Sequence, residues 1–222
     1  MTATPKLSPQ HPYVSKPRLS VRTVARFLRL PIAEQLRILR DHKYPRQMPQ
    51  AIKSPYYSAA LTGIKGVLEN GASGIAQARG LVQRITLPTR RMHCMRVLEE
   101  FIKSEHSQRQ LTIAPQRRVS TEIGELELRL SPDLHAFEAD SERFLYFNFK
   151  AEQYDPESAK MTIEIAHWLL ERNGIEVDLE QVEFIDLFTN TLYQAKKRRT
   201  RTLKLLSENA KVIESLWPTI DP

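Results

Sequence analysis

Apolar residues in this sequence recur first at helical spacing and later, in the second half, with a period of two. Up to about Lys16 the chain is rich in Pro, Ser, Thr and Gln with no apolar period, which reads as a flexible leader. Val21, Val24, Ala25, Phe27 and Leu28 then predict a helix, and Ile32, Leu36, Ile38 and Leu39 a second one after Leu30-Pro31, stopping at Tyr44-Pro45. Residues 49–57 read as a loop. Helical patterns follow from Ala59 to a break at Asn70-Gly71, over residues 74–85, and over residues 91–106. Leu126, Leu128 and Leu130 alternate with Glu125, Glu127 and Arg129, the signature of a half-buried strand. Two further strands are predicted, one leaving Pro132-Asp133 and one over residues 144–150, with the polar stretch 139–143 turning between them. The 144–150 run is so apolar before Asn148 that it should be central and covered on both faces. Asp155-Pro156-Glu157 supplies an N-cap, a first-turn proline and a first-turn acid for a helix that carries Met161, Ile165, Trp168 and Leu169 inward and ends at Asn173-Gly174. A strand over 182–188, a short edge at 191–193 and a helix with Leu203, Leu206, Ala210, Ile213 and Leu216 inward complete the pattern.

Composition narrows the class. With 222 residues, 41% hydrophobic and 27% charged, the chain is long enough for a sizeable core and too apolar for wholesale disorder. No apolar run reaches membrane-spanning length, and Met1-Thr2-Ala3-Thr4-Pro5-Lys6 lacks the apolar core of a secretory signal, so the expected setting is a cytoplasm, away from membranes. The single Cys94 excludes an internal disulfide, and His93 beside it has no second metal-ligand pair to join.

The formal net charge of +7 makes a polyanion the natural partner, because the basic residues cluster. Arg22, Arg26 and Arg29 belong to a run up to Arg46 that holds only Glu34 and Asp41 as acids, and Lys196, Lys197, Arg198, Arg199 and Arg201 form a second group. These residues are the candidate nucleic-acid contacts. The two basic helices parted by Pro31 can be read as a helix-turn-helix or as a helical subdomain packed on its neighbour. Gly63-Ile64-Lys65-Gly66 has a faint likeness to the glycine hairpin of helix-hairpin-helix motifs.

Candidate chemistry gathers around Asp133, Asn148 and Lys150. Alternation along a strand projects Asn148 and Lys150 from one face, and pairing brings Asp133 beside them. On the 91–106 helix, Met95, Leu98, Phe101 and Ile102 share an apolar face with Glu99 at its edge, able to look inward, and Glu100 opposite. No Gly-rich phosphate loop, Ser/His/Asp constellation or zinc-type spacing supports a small-molecule enzyme of another class.

The order from Arg91 onward, with Pro132-Asp133 entering the second strand and Asn148-Phe149-Lys150 leaving the third, resembles the PD-(D/E)XK nuclease superfamily over a little more than half the chain. The resemblance implies an α/β, restriction endonuclease-like core (helix, three-strand meander, helix, strand) at residues 89–222 with a C-terminal helix; composition and apolar spacing set a leader at 1–17 and a basic helical subdomain at 18–88 ahead of it. The resemblance also implies Mg²⁺ (or Mn²⁺), with Asp133, Lys150 and Glu99 as catalytic residues and Asp133, Asn148 and Glu99 as metal ligands. Asn148 stands where the superfamily has an acid, and it brings no negative charge to a cation. Glu152 is the preferred replacement, Glu164 the other. The expected function is therefore a Mg²⁺-dependent nuclease hydrolysing DNA, as a homodimer or a subunit of a larger complex. The alternative is a catalytically degraded nuclease-like module that binds nucleic acid or a protein partner within an assembly.

Overall fold

A computed structural model describes residues 13–45 and 55–222. Residues 1–12 of the expected leader and 49–54 of the expected loop lie outside the described residues. The chain begins with β1 (Arg18–Ser20) and α1 (Val21–Phe27), whose start is set by Ser20: its hydroxyl accepts the Thr23 N–H at 3.1 Å. Then come α2 (Ile32–Lys43), α3 (Ser58–Asn70), α4 (Ala72–Gln83) and α5 (Pro88–Lys103), the last with Pro88 at the position where a helix needs no N–H. Strands β2 (Thr112–Ile113), β3 (Ser120–Ile123), β4 (Leu126–Arg129), β5 (Leu134–Glu138) and β6 (Ser141–Asn148) follow. Next are α6 (Pro156–Arg172), β7 (Val182–Asp186), β8 (Thr191–Tyr193) and α7 (Thr200–Leu216).

A five-stranded sheet runs in the order β2-β5-β6-β7-β8, with β6 and β7 parallel and the other pairs antiparallel. A parallel pair cannot be closed by a tight turn, and α6 supplies the crossover. As its apolar run predicts, β6 is the middle strand and is covered on both sides. Phe144 and Tyr146 enter one core with α1, α6 and α7; Leu145 and Phe147 enter the other with α3, α4 and α5. Residues 18–88 thus divide between the two cores: α1 and α2 contribute Val24, Phe27 and Leu39 to the first, α3 and α4 contribute Ile64, Val67 and Val82 to the second.

The three-strand meander expected before α6 is not formed. Strand β4 pairs with β3 and β1 in a separate three-stranded sheet, and the outer neighbour of β5 is β2. Between β4 and β5 the Leu130 N–H already donates to Val119 O, and Pro132 has no N–H to carry a ladder onward. The chain is α/β with mixed sheets, and the coarse class holds.

Gly63 and Gly66 are not a hairpin; both lie inside α3. They let α4 approach: a Cβ on Gly63 would meet Ala78 Cβ at 3.2 Å, and a Cβ on Gly74 would fall 2.9 Å from the Gly66 carbonyl carbon and nearer still to its oxygen. Gly80 of the same helix has nothing within 4 Å of its absent Cβ. Gly74→Ala should therefore lower stability by about 2 kcal/mol through overpacking, whereas Gly80→Ala should raise it by up to about 1 kcal/mol through helix propensity. Thermal denaturation of both variants checks the opposite signs.

Candidate functional site

Strand β5 begins just after Asp133, and the Asp133 N–H donates to Leu145 O at 2.9 Å. Its carboxylate then takes the place of a ladder carbonyl, accepting the Phe147 N–H at 2.7 Å on Oδ2. The same oxygen accepts from the Arg22 guanidinium of α1, so one atom holds both partners. The pair is mostly enclosed, with side-chain exposures of 28% for Arg22 and 16% for Asp133. Arg22 also lies over the rings of Tyr146 and Phe184, at 5.2 and 5.6 Å from their centroids. Burial opposes its charge, but Asp133 outweighs it and holds the guanidinium pKa above its usual value. Arg22, expected to grip phosphate, is instead the cation Asp133 binds.

Asn148 is buried and faces a different group. It stands opposite Asp186 in the parallel β6–β7 register, and its Nδ2 donates to Asp186 Oδ2 at 3.2 Å, to Glu152 O at 2.8 Å and to Lys150 O at 3.1 Å. Its Oδ1 accepts the Lys150 N–H at 3.0 Å, an Asx turn that ends the strand. Lys150 consequently does not share a strand face with Asn148; it sits beyond β6 in an exposed turn. Asp186 is fully buried and accepts four bonds in all, including the Tyr154 N–H at 2.8 Å and the Phe188 N–H at 3.2 Å. The sequence signal for it is an acid in the apolar run Phe184-Ile185-Asp186-Leu187, and pattern reading passed over it as part of a strand.

The remaining candidates are held elsewhere. Glu99 of α5 takes a two-pronged bond from Arg79 of α4, at 2.7 and 2.8 Å, which holds its carboxyl below the usual range. It is not brought to Asp133: the inward edge of α5 at this point faces α4, and Arg79 claims the carboxylate. Glu152 joins the turn through its backbone carbonyl while its side chain is exposed. Glu164 is buried against α7, bonded to Arg199 at 2.7 Å and to the Thr202 hydroxyl. Arg199 also meets Glu157 at 2.6 Å, and Arg198 pairs with Glu171, so these two arginines fasten the approach to α7 onto α6. Lys196, Lys197 and Arg201 are exposed, with no carboxylate in ion-pair reach among the described residues.

Mg²⁺ asks for near-octahedral oxygen ligands, usually with one or two carboxylates. Here Asp133 is charge-balanced by Arg22 and bonded through Oδ2 to it and to a backbone N–H, Asn148 Oδ1 accepts the Lys150 N–H, and Glu99 is paired with Arg79. Among the described residues, no three His, Cys, Asp or Glu side chains are grouped to hold a metal ion. This donor set does not fit the divalent ion that the resemblance implies.

Beside the Arg22–Asp133 pair opens a cleft of about 730 Å³ lined by Arg22, Arg26, Arg29, Lys150, Tyr57 and Phe149, among others. Arg29 shares Asp155 at 3.3 Å. Arg26 and Lys150 are exposed and have no carboxylate in ion-pair reach among the described residues. Asp155 also caps α6: burial works against its charge, but the Ser158 N–H and hydroxyl and Arg29 outweigh it and hold its carboxyl low.

No family model matches this sequence, and none of the curated proteins does.

Removing either member of the Arg22–Asp133 pair leaves the other partly buried and alone. Arg22→Met and Asp133→Asn should each lower stability by roughly 2 kcal/mol. The double variant should cost less than the sum, by about 1 kcal/mol or more. Urea unfolding of the four proteins measures the coupling, and a value near zero contradicts the pairing.

Proposed function

We propose that this chain is a nucleic-acid-binding module on a nuclease-like core that does not cut. The observation that carries this reading is the ion pair of Asp133 Oδ2 with Arg22, reinforced by the Phe147 N–H, which already balances the carboxylate's charge. A cation supplied by the protein itself stands beside the only acid of the short Pro-Asp motif. Binding is favoured by what adjoins it: Arg26 and Lys150 face the cleft without carboxylate partners among the described residues, and the chain carries +7. Phosphates would neutralise such cations and release counterions, giving affinity without cleavage. Lys196, Lys197 and Arg201, exposed ahead of and within α7, offer a second basic contact.

The test is binding and cleavage on one labelled DNA. Binding should fall log-linearly with salt, and Arg26→Ala and Lys150→Ala should each weaken it and reduce the salt slope by about 1. With Mg²⁺ or Mn²⁺ present the DNA should stay intact. Metal-dependent cutting abolished by Asp133→Ala would overturn the non-cutting reading and restore the nuclease; absence of any salt-sensitive binding would overturn the nucleic-acid reading.

A further inference from the structure

The cleft has a wall that charge does not explain. Phe147, Phe149, Tyr57 and Tyr154 line it together with the cations and with the acids Asp41, Glu152 and Asp155, of which Asp155 is held by Arg29. Three of these rings and Tyr56 form a row that runs out of the core: Phe147 to Phe149 at 5.9 Å between centroids, Phe149 to Tyr57 at 5.4 Å, and Tyr57 edge-on to Tyr56 at 5.0 Å. Phe147 is a core residue, Phe149 and Tyr57 are half-buried, and Tyr56 is 44% exposed.

This aromatic rim is fastened before any ligand arrives. Arg90 of α5 donates to Tyr56 O and to Pro55 O, both at 2.8 Å, and the Cys94 thiol reaches Tyr56 O at 3.5 Å. The Tyr56 hydroxyl meets His93 Nδ1 at 2.8 Å. On the other side, Phe149 lies within the turn that Asn148 and Asp186 cap. Side chains held this way lose little freedom on binding.

Ring faces of this kind have a use for bases that are unpaired. A duplex buries the faces of its bases and offers phosphates and groove edges, whereas an unpaired strand offers a face at every base and stacks on aromatic side chains while cations track its backbone. The volume, about 730 Å³, falls within the range of pockets that take one small molecule. That is room for a base or two of an unpaired strand.

We infer that the ligand of this cleft is single-stranded nucleic acid, with bases stacked on Tyr57 and Phe149 and adjoining phosphates held by Arg26 and Lys150. The inference rests on the nucleic-acid reading above and narrows it to one substrate class.

Fluorescence anisotropy with the full chain tests it, using a labelled 20-mer DNA strand, the same sequence as a duplex, and a strand of equal length with abasic sites at alternate positions. The single strand should bind about tenfold or more tighter than the duplex, and the abasic strand should lose about tenfold. Tyr57→Leu and Phe149→Leu, which keep apolar bulk, should each lose several-fold on the single strand, leave the duplex unchanged and keep the salt slope. Equal affinity for strand and duplex, or an abasic strand that binds as well as the intact one, overturns the inference while leaving salt-sensitive binding, and so the broader reading, in place. If no probe binds at all, the broader reading fails first. The abasic comparison uses the unaltered protein, so the outcome does not depend on the variants folding.

Discussion

A guanidinium enclosed against two aromatic rings must have an anion, and Asp133 is the anion that Arg22 has. That requirement ties three parts of the molecule together. Arg22 comes from α1, which rests on α6; Asp133 precedes β5; and its carboxylate also completes the ladder at Phe147 in β6. The ion pair therefore joins the first helix to the end of the central sheet where the strand pair opens. It also sets the charge there, since the carboxylate that a metal would use is already balanced by a guanidinium.

A second device at the same end of the sheet works without net cation binding. Asp186 gathers the backbone of the β7–β8 turn, the Tyr154 N–H and the Asn148 amide, and Asn148 in turn closes the Lys150 turn. Asparagine suits this position because it donates to carbonyls and to Asp186 while accepting an N–H. A carboxylate in its place would meet Asp186 as a like charge and could donate to neither Lys150 O nor Glu152 O. Asn148 is thus the residue that the local hydrogen bonds require.

Much of the fold was legible. The Asp155 cap, the Asn70-Gly71 and Asn173-Gly174 breaks, and the central place of the 144–148 run follow from turn chemistry and apolar periodicity, which are local. Long-range pairing was not. Nothing near Leu126 announces that β4 pairs with Arg18–Ser20, more than a hundred residues earlier, and β2 is only two residues long. The site was legible as an address and not as chemistry. Asp133 and Asn148 do lie at one end of the sheet, but which charges meet is settled by packing. Arg79 takes Glu99, Arg22 takes Asp133, and Arg199 takes Glu164, all across sequence separations that a linear reading cannot bridge. The Asx turn at Asn148 moved Lys150 off the strand, a local signal that was present and outweighed by strand alternation.

Together these features describe a sheet end where polar side chains hold the protein together, next to a cleft with fixed aromatic rings and with cations that have no carboxylate partner among the described residues. The most direct test is a titration of Mn²⁺ into the full chain followed by electron paramagnetic resonance, comparing the native sequence with Asp133→Ala. Superimposable titrations are expected, with free Mn²⁺ rising alike in both. Sequestration of Mn²⁺ by the native chain that disappears in Asp133→Ala would contradict this, because Asp133 would then be a metal ligand and Arg22 its displaceable stand-in.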